Sequence, residues 1–140
     1  MSEAITELKK RGQPIRNINI TDITMNYKQP PSAIVSILHR ISGFVLFLAL
    51  PFLLYLLEQS LVSETTYAHF AGIMSNGFVK LIVLVLAAGY IHHFIGGIRH
   101  LFMDNHIALD KDDSQRTARW VMVIDVILIL LVALKLFGVF

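Results

Sequence analysis

The chain contains no cysteine. That excludes disulfides, a thiolate-held zinc and an iron–sulfur cluster ligated by this chain. Charge is scarce as well: Asp, Glu, Lys and Arg make up 16% of the 140 residues, whereas 55% are hydrophobic. A soluble domain of this length carries charge on about a quarter of its residues. There is no internal repeat, no low-complexity tract and no flavin-binding glycine fingerprint. Residues 1–30 lack the apolar segment of a signal peptide, and Glu3, Glu7 and Asp22 among the basic residues argue against a mitochondrial transit sequence. A bacterial inner membrane is therefore expected. The basic residues form no patch, so nucleic acid is not an expected partner.

What is present is three long apolar runs, over about 34–61, 78–103 and 119–138, long enough to cross a bilayer that needs ~20 residues. The spacing predicts an all-α membrane protein of three transmembrane helices, in a domain spanning residues 31–140 behind a polar arm at 1–30. Ser32 is the expected N-cap of the first span after Pro30-Pro31, and Pro51 is expected to kink that helix. Residues 62–77 read as a connection with a short amphipathic piece, and residues 104–118 as a solvated loop leading into the third helix. Lys9, Lys10, Arg11, Arg16 and Lys28 precede the first span, and Lys111, Arg116 and Arg119 lie between the second and third. The positive-inside rule then puts the N-terminus in the cytoplasm and the C-terminus in the periplasm.

Ionisable residues inside such spans are costly and mark functional sites. On a helix advancing ~100° per residue, His93, Gly96, Gly97, His100 and Asp104 share one stripe of the second span. Ser36, His39, Arg40, Gly43 and Phe47 share one stripe of the first. The two spans are antiparallel, so both stripes lie near the cytoplasmic end, with His93 ~9–15 Å below the surface at 1.5 Å per residue. The paired glycines leave a notch that either a neighbouring helix or a planar ligand can enter. Haem is planar, apolar across its body and anionic at its propionate edge. His93 is placed to bind the iron from one face, and His39, Arg40 and His100 to neutralise the propionates. The third span has no histidine, so the second iron ligand is expected from a partner subunit.

Plainer roles stand beside these. A membrane histidine is often only an interhelical hydrogen-bonding group. His92 points about a quarter-turn from His93 and is expected on the bundle exterior or against a partner. Arg99 is either an interfacial anchor or a binding group. Asp104 either ends its helix or takes part in binding. Asp125 is expected to be a structural hydrogen-bonding group or a partner contact. His69 and His106 lie in connections.

Ser36-Ile37-Leu38-His39-Arg40-Ile41-Ser42-Gly43, followed about fifty residues later by His93-Phe94-Ile95-Gly96-Gly97-Ile98-Arg99-His100-Leu101-Phe102-Met103-Asp104, closely resembles the cytochrome b membrane-anchor subunit of succinate dehydrogenase. The resemblance covers about residues 30–140 and implies half of a heterodimeric haem-binding bundle. It implies haem b bound by His93, with His39, Arg40 and His100 near the propionates. It further implies a ubiquinone pocket lined by Ser36 and Arg40 with Asp104 near it. Ser36 would hydrogen-bond a quinone carbonyl, and Arg40 would stabilise the reduced, charged quinone. The implied partners are a second small anchor subunit, an iron–sulfur subunit and a flavoprotein subunit. Succinate oxidation itself would belong to those partners. An anchor of quinol:fumarate reductase uses the same parts in reverse, and a non-redox helical subunit of a transporter or assembly factor is the alternative of another class.

Overall fold

The computed structural model describes residues 29–139. These form four helices: α1 (Pro31–Val62), α2 (Glu64–Ile73), α3 (Gly77–Asp104) and α4 (Lys111–Leu136). Helices α1, α3 and α4 are each long and apolar enough to span a bilayer. The polar arm expected over residues 1–30 falls almost wholly outside the described residues.

The helix ends follow from local chemistry, with two departures from expectation. Helix α1 begins at Pro31, one residue before Ser32, and Pro30 occupies the cap position without a side-chain bond. Proline suits the first helical position because it has no N–H to satisfy there. Ser32 is therefore not the cap. Its N–H donates to Gln115 Oε1 of α4 (3.4 Å), and Gln115 Nε2 donates to its hydroxyl (3.1 Å). Helix α1 runs through Pro51 as one element.

The second departure is α4, which starts at Lys111 rather than near 119, so the loop shrinks to six residues. Its first two turns are polar, and Asp112 and Asp113 sit where the helix dipole favours negative charge. The end of α4 is closed by Gly138 at φ +76, with Gly138 N–H bonded to Lys135 O (3.2 Å) and Val139 N–H to Leu134 O (2.9 Å). This pair of bonds is the Schellman closure that glycine permits. The short α2 carries a capping box between Ser63 and Thr66, as expected of an ordered connection.

The three spanning helices pack against one another in up–down–up order. The start of α1, the end of α3 and the start of α4 meet at one end, called here the charged end. Among the described residues, only Val35, Ala118 and Val121 form a buried apolar core. Most apolar side chains face outward, for example Phe47 (70% exposed) and Phe78 (70%). Lipid is as apolar as these side chains, so a membrane bundle needs no large core of its own.

Candidate functional site

The two polar stripes meet, and His39 is where they interlock. Its ring lies parallel to that of His93, with centroids 4.3 Å apart and planes 6° apart. On its other side it meets His100, 4.9 Å away and tilted by 53°. The result is a row of three imidazoles, His93, His39 and His100, across the α1–α3 contact. Gly96 and Gly97 make room for the middle ring. A Cβ at Gly96 would stand 3.3 Å from His39 Cδ2, and one at Gly97 would stand 3.4 Å from His39 Nε2. The notch thus admits a side chain of the neighbouring helix, one of the two occupants the sequence allows.

His93 is held from α1. Its Nδ1 lies 3.1 Å from the carbonyl oxygen of His39, which can only accept, so Nδ1 carries the proton. Ser42 Oγ donates to the same carbonyl (2.9 Å) and sits 3.4 Å from His93 Nδ1. Gly43 allows this approach: a Cβ there would come within 2.7 Å of His93 Cε1. With Nδ1 protonated, Nε2 keeps its lone pair. It has no hydrogen-bond partner among the described residues and is not fully enclosed. An imidazole anchored through Nδ1–H to a backbone carbonyl, with Nε2 open, is the arrangement of a metal-ligating histidine. The donor set therefore fits a haem iron. The stacked His39 ring covers a face of the His93 ring.

The remaining predicted residues border this row. Arg40 is exposed and makes no hydrogen bond or ion pair among the described residues. Asp104, also exposed, is the last residue of α3. Arg40, Arg99 and Asp104 all lie within electrostatic range of His100. Ser36, half-buried and one turn before Arg40, likewise makes no hydrogen bond among the described residues. The first-span stripe is thus divided: His39 and Gly43 turn toward α3, whereas Arg40 and Phe47 turn outward.

Two residues depart from the expected placement. His92 is buried (8% exposed), not on the bundle exterior. Its Nδ1 is 2.5 Å from Asp125 Oδ2 of α4, and its Nε2–H donates to Val35 O of α1 (3.3 Å). The quarter-turn from His93 points inward because α4 packs on that side of α3. Lipid-facing and helix-facing positions are equally apolar, so phase alone does not distinguish them. The available signal was Asp125: a carboxylate in a span needs a partner at its own depth, and His92 can supply one. Arg99 is buried too (6% exposed) and binds within the chain. Its Nε donates to Thr117 Oγ1 (3.2 Å), and its Nη2 donates to Ser114 O (3.1 Å) and Ser114 Oγ (3.0 Å). Neither a lipid anchor nor a ligand contact describes it.

Three membrane-spanning helices with an open histidine nitrogen set among imidazoles, close to a charged end, define a multi-pass membrane subunit built around a histidine site. The family described as succinate dehydrogenase/fumarate reductase transmembrane subunit matches residues 16–133. A succinate dehydrogenase cytochrome b556 subunit of Coxiella burnetii is 38% identical over 117 residues, covering 83% of this chain and 92% of that one. Proteins of the same description from Rickettsia felis and Rickettsia prowazekii are each 33% identical. The first covers 69% of this chain and 76% of its own length, the second 56% and 60%. The chain belongs to the succinate dehydrogenase/fumarate reductase transmembrane-subunit family, as a membrane anchor of the succinate dehydrogenase cytochrome b type.

Proposed function

We propose that this chain is the haem b-bearing anchor of a succinate:ubiquinone oxidoreductase in a bacterial inner membrane, and that it contributes to the quinone-reduction site. The observation that carries this reading is the state of His93: Nδ1–H committed to the His39 carbonyl at 3.1 Å, and Nε2 left open. His93 would bind the iron through Nε2. His39, Arg40 and His100 would offer positive charge or N–H donors to the propionates. Haem b, when bound, supplies a reversible one-electron store beside the quinone.

Ser36, Arg40 and Asp104 would border the quinone. Ser36 carries a hydroxyl that can donate to a carbonyl oxygen. Arg40 carries a fixed charge that favours the reduced, anionic form where the dielectric is low. That neither makes a hydrogen bond or ion pair among the described residues supports a role toward a bound molecule. The partners would be a second small anchor supplying the other iron ligand, and iron–sulfur and flavoprotein subunits on the cytoplasmic face. The chain's N-terminus would lie on that face and its C-terminus in the periplasm, following the distribution of Lys and Arg. The relatives from Coxiella burnetii and Rickettsia felis are described as succinate dehydrogenase subunits, which favours succinate oxidation over fumarate reduction.

Arg40→Ala in the complete membrane complex tests the quinone role. Ubiquinone reduction is expected to fall roughly 10- to 100-fold, the scale of losing one preorganised charge. Succinate oxidation by a soluble artificial dye should persist. Equal loss of both activities would count against a quinone-site role for Arg40.

A further inference from the structure

We infer that the buried His92–Asp125 pair is a positioning element that fixes the rotation of α3 and thereby aims His93. This rests on the reading of His93 as an iron ligand. Among the described residues, His92 is the one side chain hydrogen-bonded to both other spans: to Asp125 of α4 and to the backbone of α1 at Val35. Val35 is wholly buried, and Asp125 is 6% exposed. At the charged end α4 is tied by Arg99 to Ser114 and by Gln115 to Ser32, and at the opposite end Lys80 of α3 lies over the ring of Phe137, 5.7 Å from its centroid.

The carbonyls involved are regularly placed. Val35 O receives His92 and His39 O receives His93. These oxygens are four residues apart on α1, hence on one face, and each has a second lone pair beyond its intrahelical bond. Two successive histidines of α3 are therefore registered on two successive turns of α1, and Asp125 holds the first from the opposite side. Side-chain tips lie ~5–6 Å from a helix axis. A rotation of α3 by about 10° would move the His93 ring by ~1 Å, enough to carry Nδ1 beyond hydrogen-bonding range of His39 O.

The pair is poorly explained as a source of stability. Buried ion pairs often contribute little compared with apolar groups of the same size, and setting register is their best-attested use. Asp125 also leaves Oδ1 without a hydrogen-bond partner among the described residues. That is a standing cost which an apolar residue would not carry. The pair borders a groove of about 410 Å³ lined mainly by apolar side chains, including Leu38, Val85 and Met122.

The test uses the complete complex, with the electron paramagnetic resonance signal of the oxidised haem as readout, because that signal is sensitive to the orientation of an imidazole that would hold the iron. Asp125→Leu and the double variant His92→Phe/Asp125→Leu are expected to assemble with haem but to show a shifted or broadened largest g value. Asp125→Asn, which retains size and an acceptor, should keep the wild-type signal. A wild-type signal in both leucine variants would overturn the inference. So would failure of both to assemble, which would make the pair a folding element. His93→Ala is the separate arm. If it retains the native signal, the iron-ligand reading itself fails, whatever the Asp125 variants show.

Discussion

Gly43 matters to the candidate site as much as the histidine it faces. A methyl group there would stand 2.7 Å from His93 Cε1, closer than carbon atoms tolerate, so the ring or the helix must move. The corresponding distances at Gly96 and Gly97 are 3.3 and 3.4 Å, where a small shift of His39 suffices. Alanine substitutions should therefore be graded in effect, with Gly43→Ala worst, Gly96→Ala intermediate and Gly97→Ala mildest. The haem content of the purified complex measures this, and a reversed order would contradict the geometry. At this scale the sequence was legible where a residue has one chemical option. The shared stripe of His93 with the glycines follows from helical phase, whereas its stacking on His39, which was expected nearer the surface beside the propionates, came from the packing of α1 on α3. The inward turn of His92 did not follow, because lipid and a neighbouring helix select the same residue types.

At the scale of the element, the end of α3 is fastened to the start of α4 by one guanidinium. Arg99 makes three hydrogen bonds to Ser114 and Thr117 from a buried position. Removing it leaves these acceptors without their donor. Arg99→Leu should cost about 1–3 kcal/mol, read as a lower melting temperature of the detergent-solubilised complex. The haem absorption maximum should stay in place. Arg99→Lys should recover only part of the loss, since an ammonium cannot reproduce the planar fork. Unchanged melting of Arg99→Leu would contradict the role given to these bonds. The same contact explains why α4 is longer than its apolar run. Lys111 to Ala118 carry too little hydrophobicity to be read as part of a span. They are helical because Asp112 and Asp113 suit the N-terminus, and because Arg99 and Ser32 engage Ser114, Thr117 and Gln115. Such support comes from residues distant in the chain and leaves no local periodicity.

For the whole molecule, the three-span architecture was the most legible property. In lipid every backbone group must be bonded internally, so a long apolar run has few alternatives to a helix. The bundle that results buries little of itself, and its row of three imidazoles lies toward the charged end, where Arg40 makes no hydrogen bond or ion pair among the described residues. These features meet in one proposal, that His93 offers Nε2 to a haem iron from a ring held by the His39 carbonyl. A reduced-minus-oxidised absorption spectrum of membranes containing the complete complex tests it most directly, comparing the wild type with His93→Ala. The account predicts a b-type band in the wild type and its loss in His93→Ala, with comparable amounts of the subunit in both membranes. A normal band in His93→Ala would contradict it.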